Sequence, residues 1–340
     1  MKIAMIGFGT VGQGLAQILR DKADELCERY GFSAKIVAVY TRSRGSLVHP
    51  HGLDPAALLQ AIAGGSLDQY PEQDRLERGW DALRIARESN ADVLVEVSPT
   101  NLETGQPALD ICRAALESGR HIVLANKGPV AVAYRELALK AEAAGRAFLF
   151  EGTVMAGTPS LRLAREALAG CTISEVRGII NGTTNYILTQ METGMGYSEA
   201  LQQAQDIGYA EADPTADVDG WDAAGKAIIL AQALFGVRFT FDQMSVRGIS
   251  HLTAQDIADA KAAGERWKLI ARVTPESASV QPQRIPVTHP LAGVSGGTNA
   301  LTFTTDLMGE ITLIGAGAGG IQTGFGVLSD LLAIYRQVRS

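Results

Sequence analysis

The sequence predicts a two-domain α/β protein, with a doubly wound parallel sheet in its first half and an α+β arrangement in its second. Three observations predict it. A short apolar strand at 2–6 runs directly into a glycine-rich turn and a helical stretch; strand and helix patterns then alternate to about residue 150; beyond that point the parallel crossover rhythm lapses. A chain of 340 residues has enough material for two domains. We place the first at 1–150, completed by 315–340, and the second at 151–314.

The turn reads Gly7-Phe8-Gly9-Thr10-Val11-Gly12, a G-x-G-x-x-G fingerprint in its required strand, turn, helix setting. Gly7 permits the tight turn, Gly9 lets backbone approach a pyrophosphate, and Gly12 lets helix and strand pack closely. The helix that follows, expected to run to about Arg29, offers its N–H groups and positive dipole end to the phosphates. This half is therefore read as a Rossmann dinucleotide-binding domain.

The second strand, Lys35 to Tyr40, ends in Thr41-Arg42-Ser43-Arg44, where an NAD site usually carries an acid. Arginine and serine suit a 2′-phosphate, which favours NADP over NAD; the alternative is that Arg42 and Arg44 belong to a solvated loop. Residues 45 to 90 read as a looser stretch rich in Pro and Gly, with helices at 55–63 and 80–88. His49 and His51 lie within it without a third ligand nearby and receive no role.

A buried strand at 91–97 ends at Ser98, a position where open α/β sheets gather their ligands, so Ser98 is expected on the nicotinamide side of the cofactor. A helix at 106–118 leads to the strand 121–124, after which Lys127 takes the same topological position. That lysine is either a phosphate or substrate contact or a surface charge. A helix at 134–144 and a strand at 147–150 complete this half. The small-residue loop Glu151 to Pro159 then exposes carbonyls that suit a hard monovalent cation, or forms a plain strand-to-helix turn.

The second half is organised around Gly178 to Leu230, which sets acids and a lysine among Asn, Thr and Gly turns. From Asp219 to Phe235 an apolar 3.6-residue repeat (Trp221, Ala224, Ile228, Ala231, Leu234) predicts a helix stopped by Gly236. Asp222 and Lys226 stand one turn apart on it. Glu211, Asp213 and Asp217 lie in a Gly/Pro-broken loop expected to fold over that face, so that four acids converge on one lysine. The bland reading is a solvated helical ion pair. Against it, the neighbours of Lys226 are Ala, Gly and Ile, an apolar setting suited to an amine that handles a proton. Strands at 246–249, 268–273, 278–280, 300–304 and 310–313, with a helix at 254–263, predict a sheet covered on one face and open on the other, where two subunits can pair as a homodimer. A second glycine cluster, 315–320, precedes a helix at 323–335 that can return to the first domain.

The net charge of −7 argues against a nucleic-acid protein. The absence of an 18-residue apolar run, of a signal sequence and of spaced cysteines (Cys27, Cys112, Cys171) predicts a cytoplasmic protein with reduced thiols and no membrane partner.

The segments GIINGTTNYIL (178–188), GYAEADPTADVDGWDAAGKAIIL (208–230), ANK (125–127) and GAGAGGIQT (315–323) resemble the homoserine dehydrogenases over nearly the full length. The resemblance implies reversible NAD(P)H-dependent reduction of L-aspartate 4-semialdehyde to L-homoserine, in the route to threonine and methionine. By position it implies Lys226 as proton donor and acceptor, oriented by Asp222 with Lys127 in support, and Glu211, Asp217 and Asp222 as substrate-binding acids. It implies cofactor contacts at Phe8 to Gly12, Ser98, Lys127, Gly208 and Gly317, and a sodium-like site on the main-chain oxygens of Glu151, Val154, Ala156 and Thr158. The chain departs from the family's GGIP-like loop, having Met155-Ala156-Gly157-Thr158-Pro159, and it stops ten residues after Asp330, so a C-terminal regulatory ACT domain is not expected. Two rivals remain: a phosphorylating semialdehyde dehydrogenase, for which Cys171 is the nucleophile candidate, and a non-catalytic dinucleotide sensor.

Overall fold

The structure, a computed structural model, describes residues 1–339. Its contacts divide the chain into two compact units, Met1–Gly157 together with the segment from Gly319 onward, and Thr158–Ala318. No helix among the described residues is long and apolar enough to cross a membrane.

Unit 1 contains β1 (Lys2–Ile6), α1 (Thr10–Asp21), α2 (Ala23–Tyr30), β2 (Lys35–Tyr40), β3 (Ser46–Leu53), α3 (Pro55–Ala63), β4 (Glu77–Arg78), α4 (Ala82–Glu88), β5 (Val93–Glu96), α5 (Ala108–Glu117), β6 (His121–Leu124), α6 (Lys127–Ala143) and β7 (Phe148–Leu149). The sheet order is β4-β3-β2-β1-β5-β6-β7, parallel from β2 to β7. The reversal of order at β1 and β5 creates the switch point at which such sheets bind ligands. Ile3, Met5, Val39, Val93 and Val95 are fully buried and share a core with Leu15, Val327 and Leu331. Each such side chain contributes roughly 1.5–3 kcal/mol. The C-terminal helix, Gly320–Arg339, lies against α1 backbone to backbone: a Cβ on Gly14 would sit 2.1 Å from the Gly320 oxygen.

Two differences from expectation matter here. The looser stretch contains a strand, β3, paired antiparallel with β2; Pro50 is tolerated because it falls where the pairing shifts between Val48 and Leu53 and no ladder bond is required. Helix α6 begins at Lys127, seven residues before the expected start. Its first part was hidden by an irregularity at Ala133 (φ −137°, ψ 29°), which breaks the apolar period.

Unit 2 contains α7 (Ser160–Arg162) running into a π turn (Leu163–Ala167), then β8 (Ile173–Ile179), α8 (Gly182–Glu192), α9 (Tyr197–Asp206), α10 (Thr215–Val218), α11 (Trp221–Leu230), a π turn (Ala231–Phe235), β9 (Ser245–Val246), α12 (Ala254–Ala262), β10 (Glu265–Val273), β11 (Ala278–Pro286), β12 (Thr298–Thr305) and β13 (Gly309–Ala316). The sheet order is β13-β12-β8-β10-β11-β9, antiparallel except for β11 with β9. Helices α8, α11 and α12 pack on it. The fold class is thus the expected one, a parallel-sheet nucleotide domain and an α+β domain.

The expected run of turns after Gly178 is instead the end of β8 and two helices. Asn181 caps α8 by accepting from the Thr184 N–H at 2.9 Å, so N-G-T-T-N opens a helix. That helix is buried from Thr183 through Leu188 and shows no amphipathic stripe to read. The expected helix 219–235 forms from Trp221 and stops at Gly236, φ +68°, as expected; Gly220 at φ +89° separates it from α10, and its last turn widens to a π turn. Trp221, expected in its apolar stripe, is exposed and meets Phe241 edge to face.

Candidate active site

In unit 2 the functional side chains converge where β8 ends and α8 and α11 begin. Lys226 is buried, at 8 % exposure, as are Ala223, Ala227 and Ile229 of the same helix. Its Nζ lies 2.8 Å from Asp222 Oδ2, one helical turn away, and donates to the Ile180 carbonyl at 2.7 Å. Asn181 completes the cluster: the same side chain that caps α8 donates from Nδ2 to Asp217 Oδ1 at 2.6 Å and to Asp222 Oδ2 at 3.0 Å. Burial and the like charge of Asp222 push the Asp217 carboxyl above its ordinary range, against the opposing influence of Asn181, Lys226 and Thr183. The arrangement is one ammonium held between a carbonyl and a carboxylate, beside a second carboxylate that an amide keeps in place.

Of the four acids expected to converge on Lys226, two do, Asp222 directly and Asp217 through Asn181. Glu211 and Asp213 are exposed in the segment between α9 and α10, and Asp213 accepts from the Thr215 N–H at 3.1 Å. Its short side chain serves its own turn, as Asp does in such loops. Gly208, at φ +79°, closes α9 with open space around it. Tyr209 stacks on Tyr186 at 5.0 Å. Gly317 follows β13, where a Cβ would meet Asn299 Cγ at 2.0 Å. Asn181 was missed by sequence reasoning; the available signal was a capping residue in N-G-T-T-N immediately after a strand.

In unit 1 the residues that would hold a dinucleotide gather at the carboxyl ends of β1, β5 and β6. Gly7 has φ +99°, and a Cβ there would lie 2.7 Å from the Ser98 nitrogen, so the β1 turn and the end of β5 are in backbone contact. Gly9 caps α1 and has open space where a side chain would stand, which a phosphate can use. Phe8 and Gly12 are buried, Thr10 is exposed and Val11 half-buried. These residues fit a dinucleotide. Arg42, Ser43 and Arg44 are exposed on a turn that Thr41 Oγ1 fastens, donating to the Gly45 carbonyl and accepting from the Arg44 N–H, both at 2.9 Å.

Ser98 donates through its N–H at 2.8 Å, and through its hydroxyl, to Glu96 Oε1. Glu96 is fully buried at the end of β5 and was passed over within ADVLVEV. The signal available was the acid itself, in an otherwise apolar strand. Lys127 is the first residue of α6 and donates its N–H to Thr100 Oγ1 at 3.3 Å. Glu151, Val154 and Ala156 are buried, Ala156 at φ +50°, whereas Thr158 donates its hydroxyl to the Ala316 carbonyl at 2.9 Å. No cluster of three or more His, Cys, Asp or Glu that could hold a metal occurs among the described residues. His49 Nε2 lies 3.0 Å from the Asp74 carbonyl oxygen. Cys171 is half-buried in the turn before β8.

Comparison with known proteins joins both halves to one family. Residues 159–332 match the family described as homoserine dehydrogenase, and residues 7–151 match its NAD-binding domain. The chain is 43% identical to an NAD(+)-dependent homoserine dehydrogenase of Pseudomonas canavaninivorans, over 98% of this chain and 96% of that one. It is 41% identical to the homoserine dehydrogenase of Methanocaldococcus jannaschii over the whole of both. Among solved structures it is similar to a putative homoserine dehydrogenase from Archaeoglobus fulgidus, with a TM-score of 0.89 at 37% identity over 98% of this chain and 99% of that one. It is also similar to a hyperthermophilic archaeal homoserine dehydrogenase in complex with NADPH, with a TM-score of 0.85 at 30% identity over 99% and 98%. The chain belongs to the homoserine dehydrogenase family.

Proposed function

We propose that Lys226 is the proton donor for the reaction of this family, the reversible NAD(P)H-dependent reduction of L-aspartate 4-semialdehyde to L-homoserine. The observation that carries the proposal is the donor count at its ammonium. Of three N–H groups, one faces the Ile180 carbonyl and one faces Asp222, which leaves one for the oxygen of a substrate. Bound nicotinamide supplies and recovers the hydride. Lys226 gives a proton to the oxygen that becomes the homoserine hydroxyl, and takes it back in the reverse direction. Asp222 fixes the side chain through the 2.8 Å ion pair. Asp217 and Glu211 take the substrate's ammonium group, and Lys127 steadies its reacting oxygen. Lys226→Ala should lower kcat by about 10²- to 10⁴-fold while the dissociation constant for NADPH stays unchanged; native turnover in that variant would remove Lys226 from the role.

The cofactor is held by Gly7 to Gly12 and Ser98, with Gly208 and Gly317 contributing backbone. We assign NADP as the preferred form, because Arg42, Ser43 and Arg44 stand on the turn after β2 where an acid would suit NAD. Replacing both arginines by alanine should raise the NADPH dissociation constant by roughly 10- to 100-fold and leave that for NADH in place; equal losses for both would count against the assignment. Main-chain oxygens of Glu151, Val154, Ala156 and Thr158 are proposed to hold a sodium ion, which activity in sodium-free buffer would test. We propose a homodimer in the cytoplasm, supported by the exposed apolar Leu307, Met308 and Ile314 along the β12–β13 edge; light scattering that gave a monomer mass would reject it.

A further inference from the structure

Glu96 is a buried titratable group that the mechanism above does not use. A carboxyl with no solvent exposure at the end of an apolar strand is costly unless its hydrogen bonds repay the loss of water. All of its protein bonds fall on one oxygen. Oε1 accepts from the Ser98 N–H at 2.8 Å, from the Ser98 hydroxyl, and from Asn126 Nδ2 at 3.3 Å, whereas Oε2 has no partner among the described residues. Asn126 Nδ2 also lies 3.3 Å from Ser98 Oγ and from the Pro99 carbonyl, and its Oδ1 accepts from the Gly128 N–H to cap α6. One carboxyl therefore fastens the loop that carries Ser98 to the helix start that carries Lys127. Burial raises the carboxyl's proton affinity, and the three donors hold it back.

The consequence lies in the Ser98 hydroxyl. A free serine both donates and accepts. With its proton committed to Glu96, Ser98 can offer an incoming ligand only lone pairs. We propose that Glu96 is a positioning residue for the cofactor: it sets Ser98 as a hydrogen-bond acceptor, and so selects a donor group on the nicotinamide half of the dinucleotide. This rests on the assignment of Ser98 as a cofactor contact. Two donors have the required chemistry, the carboxamide N–H and a ribose hydroxyl.

The test measures dissociation constants of NADP⁺ and of its 3-acetylpyridine analogue, which lacks the carboxamide N–H, for the native enzyme, Ser98→Ala, Glu96→Met and the double variant. Methionine removes the carboxyl without leaving a buried polar group. Glu96→Met should weaken NADP⁺ binding about 3- to 10-fold, the size of one hydrogen bond. In the Ser98→Ala background it should add nothing, because the two act as one unit. Glu96→Gln, which keeps an acceptor for the Ser98 proton, should bind as the native enzyme does. If the carboxamide is the donor, Glu96→Met erases the preference for NADP⁺ over the analogue; if the ribose is, both ligands weaken alike, again only while Ser98 is present. Native binding by Ser98→Ala would overturn the Ser98 assignment and this inference with it. Weakened binding by Ser98→Ala with native binding by Glu96→Met, or equal losses from Glu96→Met in both backgrounds, would overturn this inference alone. Glu96→Ala replaces Glu96→Met, with the same criteria, should the latter not fold.

Discussion

The two acid clusters, one carboxyl in unit 1 and two in unit 2, are built on one plan and differ most in their charge. In each, a strand ends, an asparagine caps the next helix with its Oδ1, and the same asparagine donates from Nδ2 to a carboxyl, fully buried in Glu96 and half-buried in Asp217 and Asp222. Asn126 does this for α6 and Glu96, and Asn181 for α8 with Asp217 and Asp222. The difference is the cation. Asp222 faces Lys226 at 2.8 Å, whereas Glu96 meets only neutral donors. Burial penalises the charged form in both, but only the first cluster has an opposite charge to hold ionised groups together. It can therefore work with a mobile proton. The second is suited to a fixed arrangement of donors and acceptors.

The largest test of this contrast removes the cation. Without Lys226 the unit 2 cluster retains two carboxylates and an amide, and the hundredfold or greater loss of kcat stated above should come with intact NADPH binding. The asparagines offer a more even comparison. Asn181→Ala and Asn126→Ala each remove a helix cap, at about 1 kcal/mol of stability, so their thermal melts should fall alike. Their kinetics should part: Asn181→Ala should lower kcat roughly 10- to 100-fold, since it releases bonds to charged groups, while Asn126→Ala should raise the NADPH dissociation constant about 3- to 10-fold with kcat at saturation near native. The same kinetic pattern from both would break the comparison.

The smallest effect is on stability. Burial raises the Glu96 pKa from 4.5 to about 7, and the Cys112 thiol beside it, itself pushed up by burial and by Glu96, offers no opposing charge. Between those two pH values the folded protein keeps a proton that the unfolded chain has released. The Glu96 contribution is therefore complete below pH 4.5 and fades as pH rises to about 7. Glu96→Gln should remove that decline, a change of a few degrees in the melting temperature difference between acid and neutral buffer. An unchanged profile would place the Glu96 pKa elsewhere.

Much of this molecule was legible in its residues, for identifiable reasons. The β1 to α1 fingerprint, the strands of the parallel sheet and the Asp222–Lys226 spacing rest on local rules of period and turn chemistry. What was hidden depends on contacts distant in sequence. β3 forms because β2 is beside it, and α8 is buried on too many faces to show a stripe. Glu96 looked like part of a strand because its partners, Ser98 and Asn126, are brought together by the pairing of β5 with β6. Glu211 shows the converse, since its place in a striking run of acids did not bring it into hydrogen-bonding contact with Lys226.

The central claim is that the Lys226 amine carries the proton. The most direct measurement is the rate of homoserine oxidation by Lys226→Ala as small primary amines are added. The account predicts that turnover recovers in proportion to amine concentration and rises with amine basicity. A variant that stayed equally slow with every amine while binding cofactor and homoserine normally, or one that needed no amine at all, would contradict it.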